Sequence, residues 1–146
     1  MNIIDICDTA GRVVAREWLA KAESVHRQLR PHLPAEYESK MERVFAGGAR
    51  MCVAAEGDSV VGVAVYRVYE NTADSLHMYV DDLVTDEGTR SSGVGRTLLA
   101  HLQARARESG CVSFNLDSGV QRQQAHKFYF REAMVVTAFH FQKALK

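Results

Sequence analysis

The sequence predicts an α/β fold, in which a mixed, largely antiparallel sheet of six to seven strands is flanked by about four helices. Three extended patterns, separated by short polar turns, follow one another between residues 51 and 84, which is typical of an antiparallel meander. After residue 93 helical and extended patterns alternate, which implies a strand, helix, strand crossover in the same sheet. With 146 residues, of which 47% are hydrophobic, residues 1–146 are expected to form a single domain.

The part of the chain before the meander is predicted to contain one strand and two helices. A short strand covers residues 2–7. Apolar residues then recur at the spacing of one helix face, at Val14, Trp18, Ala22, Val25 and Leu29. Pro31 and Pro34 end this pattern, and a weaker helical pattern covers residues 35–46 before a Gly-Gly pair.

The meander and the elements after it complete the predicted sheet. The three strands of the meander lie at residues 51–56, 60–70 and 76–84. A helix begins at Gly93, keeps one face apolar and ends at Gly110. The last three elements are a strand, a helix and a final strand, at residues 111–117, 121–132 and 135–143.

Composition and charge exclude several classes of function. Lys and Arg number 18 and Asp and Glu also number 18, so a dedicated nucleic-acid-binding protein is not expected. The N-terminus lacks the basic flank and long apolar core of a signal peptide, and no apolar stretch reaches the ~18 residues of a membrane span. We therefore expect a cytoplasmic location and no membrane partner. The six histidines show no metal-ligand spacing, so no metal is expected.

The most informative segment, called here the phosphate loop, is Arg90-Ser91-Ser92-Gly93-Val94-Gly95-Arg96. It lies between an apolar strand and an amphipathic helix. Gly93 and Gly95 let the backbone turn tightly and approach a ligand closely. Amides of residues 91–96, the positive end of the helix dipole, Arg90 and Arg96 together favour an anion such as phosphate or pyrophosphate.

Other interpretations of this loop are weaker or stay open. A Walker P-loop needs Gly-Lys-Ser or Gly-Lys-Thr, whereas this chain has Gly95-Arg96-Thr97. A dinucleotide-binding fingerprint needs a third glycine where Leu98 stands, and it usually follows the first strand of a parallel sheet. A glycine-rich helix start that binds no ligand is the remaining alternative.

The phosphate loop resembles the R/Q-x-x-G-x-G/A pyrophosphate motif of the GNAT superfamily of acyl-CoA-dependent N-acyltransferases, and it follows the fourth strand, as in that family. Downstream, Ala125, Phe128 and Tyr129 match the A-x-x-F-Y helix of the family. The resemblance follows the element order of the chain and is strongest over residues 79–141. One departure is Ala133-Met134, where the family usually has Gly-Phe, which changes a turn and a packing residue.

The resemblance implies that acetyl-CoA is the co-substrate and that two central strands splay apart to admit its pantetheine arm. Backbone groups of Leu83, Val84 and Thr85 would pair with the pantetheine, and the phosphate loop would bind the pyrophosphate. Tyr129 matches the tyrosine that protonates the leaving thiolate in the family. A core aromatic residue beside Phe128 is the alternative interpretation of Tyr129.

Asp81 and Asp82 are the candidates to accept the proton that the attacking amine must lose. Because neighbours on a strand point to opposite faces, only one of them is expected to face the cleft. Asp82 is favoured, since family members often carry an acid just before the Leu-Val pair, although a bulge would reverse the choice. Two solvated acids at the end of a strand are the alternative.

The predicted function is therefore acetyl-CoA-dependent N-acetylation of a primary amine of a small molecule or peptide. Six acids and no Lys or Arg lie between Arg67 and Arg90, which favours an acidic rim for a cationic amine, although solvated turns explain the same pattern. A non-catalytic acyl-CoA-binding sensor or interaction module on the same fold is the alternative function. A homodimer is considered because dimers are the commonest soluble assemblies.

Overall fold

The computed structural model describes residues 1–89 and 92–146. Within these residues the chain forms five strands and four α-helices, which confirms the predicted α/β class. The strands are β1 (Asn2–Asp5), β2 (Arg50–Glu56), β3 (Ser59–Asn71), β4 (Ser75–Thr85) and β5 (Ser113–Leu116). The helices are α1 (Arg16–Leu29), α2 (Tyr37–Ala46), α3 (Val94–Glu108) and α4 (Gln123–Arg131). A short 3-10 helix, Glu87–Thr89, follows β4.

The strands form one sheet in which spatial order follows chain order, from β1 at one edge to β5 at the other. The pairs β1–β2, β2–β3 and β3–β4 are antiparallel, so the predicted meander is confirmed. Strands β2 and β3 are nearly continuous apolar runs because both of their faces are buried.

Helices pack on both faces of the meander. Val63 of β3 belongs to the core cluster that contains Leu19 of α1 and Phe45 of α2. Its neighbour Gly62 points to the other face, where it lies against side chains of α3. The meander therefore has α1 and α2 on one side and α3 on the other.

The chain consists of two compact units, Met1–Asn115 and Leu116–Lys146. The first unit contains the meander with α1, α2 and α3, and the second contains α4 and the segment after it. The expectation of one N-acetyltransferase domain over residues 1–146 stays a prediction.

The predicted final strand at residues 135–143 is wrong. This segment has no strand structure and joins none of the five strands that the described residues form. Val136, Phe139 and Phe141 are 70%, 83% and 92% exposed. Alternating apolar residues favour a strand, but a strand forms only where a neighbouring strand supplies partners for its backbone groups. The sheet over the described ranges therefore has five strands and not six to seven.

The ends of the N-terminal elements also differ from the predictions. Strand β1 ends at Asp5 and not at residue 7, because Cys7 pairs with Val13 in an isolated bridge. Helix α1 begins at Arg16, so Val14 lies outside it and is 62% exposed. Local spacing predicts that an element exists more reliably than it predicts where the element ends.

Over residues 1–89 and 92–146 no helix is long and apolar enough to cross a membrane. Over the same residues no group of His, Cys, Asp or Glu side chains is arranged to hold a metal ion.

Candidate functional site

The end of β4, Leu83 to Thr85, is paired with β3 on one side only. It lies opposite residues 62–64 of β3, and alternate residues of an antiparallel pair turn their N–H and C=O groups away from the partner. On the other side, the N–H of Val112, just before β5, donates to the carbonyl of Leu76 at 2.9 Å. Strand β5 has four residues, too few to extend from there to the end of β4. Strand β5 therefore leaves the backbone of residues 83–85 uncovered.

One side chain of α1 forms hydrogen bonds with the segment that follows β4. Gln28 donates from Nε2 to Asp86 Oδ1 at 2.7 Å, and its Oε1 accepts the N–H of Glu87 at 2.9 Å. The N–H of Asp86 donates to the carbonyl of Val61 at 2.9 Å. These bonds fix the course of the chain between β4 and the phosphate loop.

The phosphate loop is described from Ser92 onward, and Arg90 and Ser91 lie outside the described residues. Gly93 precedes α3 with a φ of +84°, in the left-handed region that glycine adopts without strain. Within the described residues no side chain caps this end of α3. The amides of residues 94–96 lie in the first turn, where backbone N–H groups have no partner within the helix. This geometry suits the predicted anion site.

Gly62 of β3 allows α3 to start close to the sheet. A Cβ added to Gly62 would lie 2.7 Å from side-chain carbons of both Val94 and Leu98. That distance is shorter than carbon atoms tolerate, so a larger residue would displace the first turn of α3. Gly62 also lies opposite Thr85 in the register of β3 and β4. The same glycine therefore places the start of α3 beside the end of β4.

A bulge in β4 turns both candidate acids toward one cavity. The register passes from Val65 opposite Asp82 to Tyr66 opposite Val80, so Asp81 is the additional residue. Asp81 and Asp82 both line a cavity of about 250 Å³, which we call the acid cavity. The bulge interrupts the alternation of side chains on which the choice between the two acids depends, so that choice stays a prediction.

Asp82 is the less exposed of the two acids, with 13% of its side chain accessible. His26 Nε2 lies 2.6 Å from Asp82 Oδ2, while Arg30 donates to Oδ1 from Nε at 2.9 Å and from Nη2 at 2.6 Å. Burial favours the neutral acid, but the hydrogen bonds and positive charges of His26 and Arg30 outweigh it and lower the pKa of Asp82. Asp82 is therefore ionised at neutral pH.

His26 extends this hydrogen-bond chain into the core. The residue is 1% exposed, and its Nδ1 lies 2.8 Å from the hydroxyl of Tyr37. Burial, together with the charges of Glu23 and Asp82, raises the pKa of Tyr37, so the phenol keeps its proton. His26 therefore links Asp82 in the acid cavity to Tyr37 in the core.

Asp81 pairs with a different arginine. Arg67 donates from Nε to Asp81 Oδ2 at 2.8 Å and from Nη1 to the carbonyl of Gly47 at 3.0 Å. About a third of each side chain of this ion pair is exposed, so water screens the attraction. Asp81 and Asp82 are thus both paired with arginines of the chain itself, and the acidic rim for a cationic amine stays a prediction.

Sequence reasoning missed the cationic side chains around these acids. His26, Arg30, Lys40 and Arg67 all line the acid cavity. His26 lies on α1 and Arg30 directly follows its last residue, one helical turn later in the sequence, which is a detectable signal. The strand that this face meets depends on tertiary packing, and local spacing does not predict it.

In the second unit, Tyr129 lies on α4 and is partly buried. Its ring packs against that of Phe128, with centroids 5.4 Å apart. Burial raises the pKa of Tyr129 by more than the charge and hydrogen bond of Arg122 lower it. Since a guanidinium only donates, the phenol oxygen accepts from Arg122 and keeps its own proton. The assignment of Tyr129 as a proton donor stays a prediction.

Comparison with known proteins identifies the family. The sequence model of the acetyltransferase (GNAT) family matches residues 14–133. The chain belongs to the GNAT family of acetyltransferases. This membership confirms the resemblance that the phosphate loop and the A-x-x-F-Y helix indicate, and it supports an acyltransferase activity.

Curated relatives of this GNAT chain include three acetyltransferases. An uncharacterized N-acetyltransferase of Bacillus subtilis is 28% identical over 90% of this chain and 95% of its own length. An aminoalkylphosphonate N-acetyltransferase of Salmonella typhimurium is 35% identical over 45% of this chain and 43% of its own length. An aminoglycoside N(6')-acetyltransferase of Stenotrophomonas maltophilia is 36% identical over 55% of this chain and 54% of its own length.

Solved structures show the same fold. An aminoglycoside acetyltransferase from an uncultured soil metagenomic sample superposes with a TM-score of 0.81 at 15% identity, covering 99% of this chain and 96% of that one. An aminoglycoside N-acetyltransferase solved in complex with CoA has a TM-score of 0.80 at 17% identity, covering 99% and 95% of the two chains. At such identities the similarity establishes the GNAT fold alone.

Proposed function

We propose that this GNAT chain transfers an acetyl group from acetyl-CoA to a primary amine of a small molecule or peptide. The observation that carries the proposal is the close approach of the start of α3 to the end of β4, which Gly62 permits. A helix start suited to an anion then lies beside strand backbone that β5 does not reach, next to the acid cavity. Acetyl-CoA requires the helix start and the strand backbone, and the amine requires the acid cavity.

The acetyl-CoA site would have two parts. Backbone groups of residues 83–85 would pair with the pantetheine as an additional strand would. The phosphate loop would bind the pyrophosphate, through amides of the first turn of α3, Ser92 and Arg96, and through Arg90 and Ser91 in the sequence. A structural neighbour solved with CoA has the same fold, which supports this choice of co-substrate.

The reaction is direct acyl transfer. The nitrogen of a neutral amine attacks the thioester carbon, the C–N bond forms, and the C–S bond breaks to release CoA as a thiolate. A backbone N–H of Leu83 or Val84 that points away from β3 would stabilise the oxyanion, and such donors contribute about 2.7–4 kcal/mol in other acyl-transfer sites.

Asp82 and Asp81 are the proposed acceptors of the proton that leaves the amine. Asp82 is ionised and lies in the acid cavity, so it is always in the accepting form at neutral pH. Both of its oxygens already bond to His26 and Arg30, so a water molecule between amine and carboxylate would carry the proton. Asp81, held only by a screened ion pair, is the second candidate.

Tyr129 is the proposed donor of a proton to the leaving thiolate. Its raised pKa keeps the phenol protonated at neutral pH. We expect Tyr129→Phe to lower kcat by about 10²-fold and to leave the affinity for CoA within about twofold of the original. Tyr69→Phe, on the exposed end of β3, is the matched control and should change neither quantity. Equal kcat values for the two variants would remove Tyr129 from the mechanism.

Small-molecule amines are the proposed acceptor class. The names of two relatives describe acetylation of aminoalkylphosphonates and of aminoglycosides, both of which carry amines. Thiol release should be measured with acetyl-CoA and a panel of polyamines, amino sugars, amino acids and peptides. Release with at least one amine is the expected result.

A non-catalytic acyl-CoA sensor is the competing function, and calorimetry separates it from the enzyme. A sensor would bind CoA but release no thiol with any amine, and variants of Asp81, Asp82 and Tyr129 would change nothing that is measured. If CoA does not bind at all, both functions are excluded.

A further inference from the structure

Cations outnumber acids around the acid cavity. Of the described residues that line it, three are Arg or Lys (Arg30, Lys40 and Arg67) and two are acids (Asp81 and Asp82). The rings of His26 and His32 also line it. The cavity thus has an excess of positive charge, whereas the charge pattern along the sequence predicts an acidic rim.

The two acids are already compensated. Asp82 accepts two hydrogen bonds from Arg30, and Asp81 accepts one from Arg67. Arg30 also donates from Nη2 to the carbonyl of Asp81 at 3.1 Å, so this guanidinium bridges both residues of the bulge. A cationic acceptor would have to displace an arginine to reach either carboxylate.

Lys40 accounts for the excess positive charge of the acid cavity, because Arg30 and Arg67 are paired with the two acids. It lies on α2, is half-buried and lines the cavity. Within residues 1–89 and 92–146, its ammonium group has no acid or hydrogen-bond acceptor as a partner. A half-buried ammonium without a counter-ion attracts an anion more strongly than an exposed one, because less water screens it.

We propose that the acceptor amine carries an anionic group, such as a carboxylate or a phosphonate, which binds the Lys40 ammonium in the acid cavity. The inference rests on the proposed function and names the substrate class of the same site. The exposed edges of Arg30 and Arg67, whose side chains are 43% and 35% accessible, add further donors for the anion. The volume of about 250 Å³ suits a small amino acid or an aminophosphonate.

Matched acceptors that differ in charge test the inference. β-Alanine, its amide and diaminopropane present an anionic, a neutral and a cationic group at similar distances from the reacting amine, and aminoethylphosphonate replaces the carboxylate by a phosphonate. We expect kcat/KM for β-alanine or aminoethylphosphonate to exceed that for the amide by about 10- to 100-fold, and the amide to exceed the diamine. The ratio between the two anionic acceptors identifies which anion the cavity prefers.

Variants on α2 supply the second readout. Lys40→Gln should raise KM for the anionic acceptors by about 10-fold or more, with little change in kcat, because Lys40 binds a group that does not react. Lys40→Arg should retain most of the affinity. Arg43→Gln makes the same change of charge on the exposed face of the helix, outside the cavity lining, and should leave KM unchanged.

The outcomes separate this inference from the proposed function. Acetylation of the amide or the diamine at rates equal to or above those of the anionic acceptors overturns the inference and leaves the proposed function standing. Unchanged KM values in Lys40→Gln do the same. If no amine of any charge is acetylated although CoA binds, the proposed function fails, and the inference fails with it.

Discussion

Ala133 lies two residues after the end of α4, in a conformation that glycine adopts more easily. Its φ is +62°, in the left-handed region. The N–H of Ala133 donates to the carbonyl of Phe130 at 3.1 Å, and the N–H of Met134 donates to that of Tyr129 at 3.0 Å, which is the Schellman pattern. Ala133-Met134 stands where the family usually has Gly-Phe, so the turn that glycine favours is kept here with strained alanine backbone.

Replacing Ala133 by glycine should therefore stabilise the protein. We expect Ala133→Gly to raise the free energy of unfolding by about 1 kcal/mol, since a left-handed non-glycine residue costs about 1–2 kcal/mol. Urea unfolding at pH 7 measures the change. Ala100→Gly, at an exposed position within α3, should lower the free energy by about 1 kcal/mol. The same sign for both substitutions would contradict the strain at Ala133.

Asp82 links the cavity to the stability of the first unit. Asp82→Asn removes the carboxylate that pairs with His26 and Arg30, and we expect it to lower the free energy of unfolding at pH 7 by about 1–3 kcal/mol. The pKa of Asp82 is lowered on folding. Its contribution is therefore complete above the unfolded value of about 3.9, and is lost as the pH falls through the lower folded value.

Unfolding curves at neutral and acid pH check this sign. The difference between the original protein and Asp82→Asn should be large at pH 7 and should shrink progressively below pH 4. Asp58→Asn is the control, because the Asp58 side chain is 90% exposed and its ion pair with Lys21 should contribute little. A difference that stays constant down to acid pH would show that the carboxylate charge does not stabilise the fold.

At the scale of elements, the sequence predicted the meander, the four helices and the loop before α3, but not the bulge in β4. Apolar periodicity is a local property, so it indicates where helices and strands occur. A bulge depends on the register between two strands, which the sequence of β4 alone does not indicate. This is why the sequence predicts Asp81 and Asp82 on opposite faces of the strand, whereas in the structure both residues line the acid cavity.

The contact between β3 and α3 provides a test at this scale. Gly62→Ala should lower the free energy of unfolding by about 1–3 kcal/mol, because its Cβ would overlap side-chain carbons of Val94 and Leu98. It should also weaken CoA binding several-fold, since the first turn of α3 must shift. Thermal unfolding and calorimetric titration with CoA measure the two effects.

Gly47→Ala is the matched control for Gly62→Ala. Gly47 has an ordinary φ of −81°, and the nearest atom to an added Cβ lies at 3.5 Å, so neither stability nor CoA binding should fall appreciably. If Gly62→Ala binds CoA as tightly as Gly47→Ala, the start of α3 does not form part of the CoA site.

The segment after α4 shows the limit of pattern-based prediction for an element. Residues 135–143 alternate apolar and polar side chains near Phe139 and Phe141, as a strand does. Strand propensity is a property of the segment itself, whereas pairing needs an available sheet edge. Among the described residues, no strand pairs with residues 135–143.

At the scale of the whole molecule, charged side chains that sum to a net charge of zero bond to residues far away in the sequence. The acids that follow Arg67 in the sequence suggest a free acidic surface, but Asp82 is bonded to Arg30, 52 positions away, and Asp86 to Gln28, 58 positions away. Such pairs come from tertiary contacts, which local charge patterns do not report. The family motif, in contrast, is a short contiguous pattern, and it was sufficient to predict the fold family.

Amide formation tests the central claim most directly. The protein should be incubated with acetyl-CoA and β-alanine, and free CoA and N-acetyl-β-alanine should be quantified together by liquid chromatography and mass spectrometry. Direct transfer predicts equal amounts of the two products, at a rate that Tyr129→Phe lowers by about 10²-fold. Free CoA without any acetylated amine, across β-alanine and the wider amine panel, would contradict N-acetyltransfer by this GNAT chain.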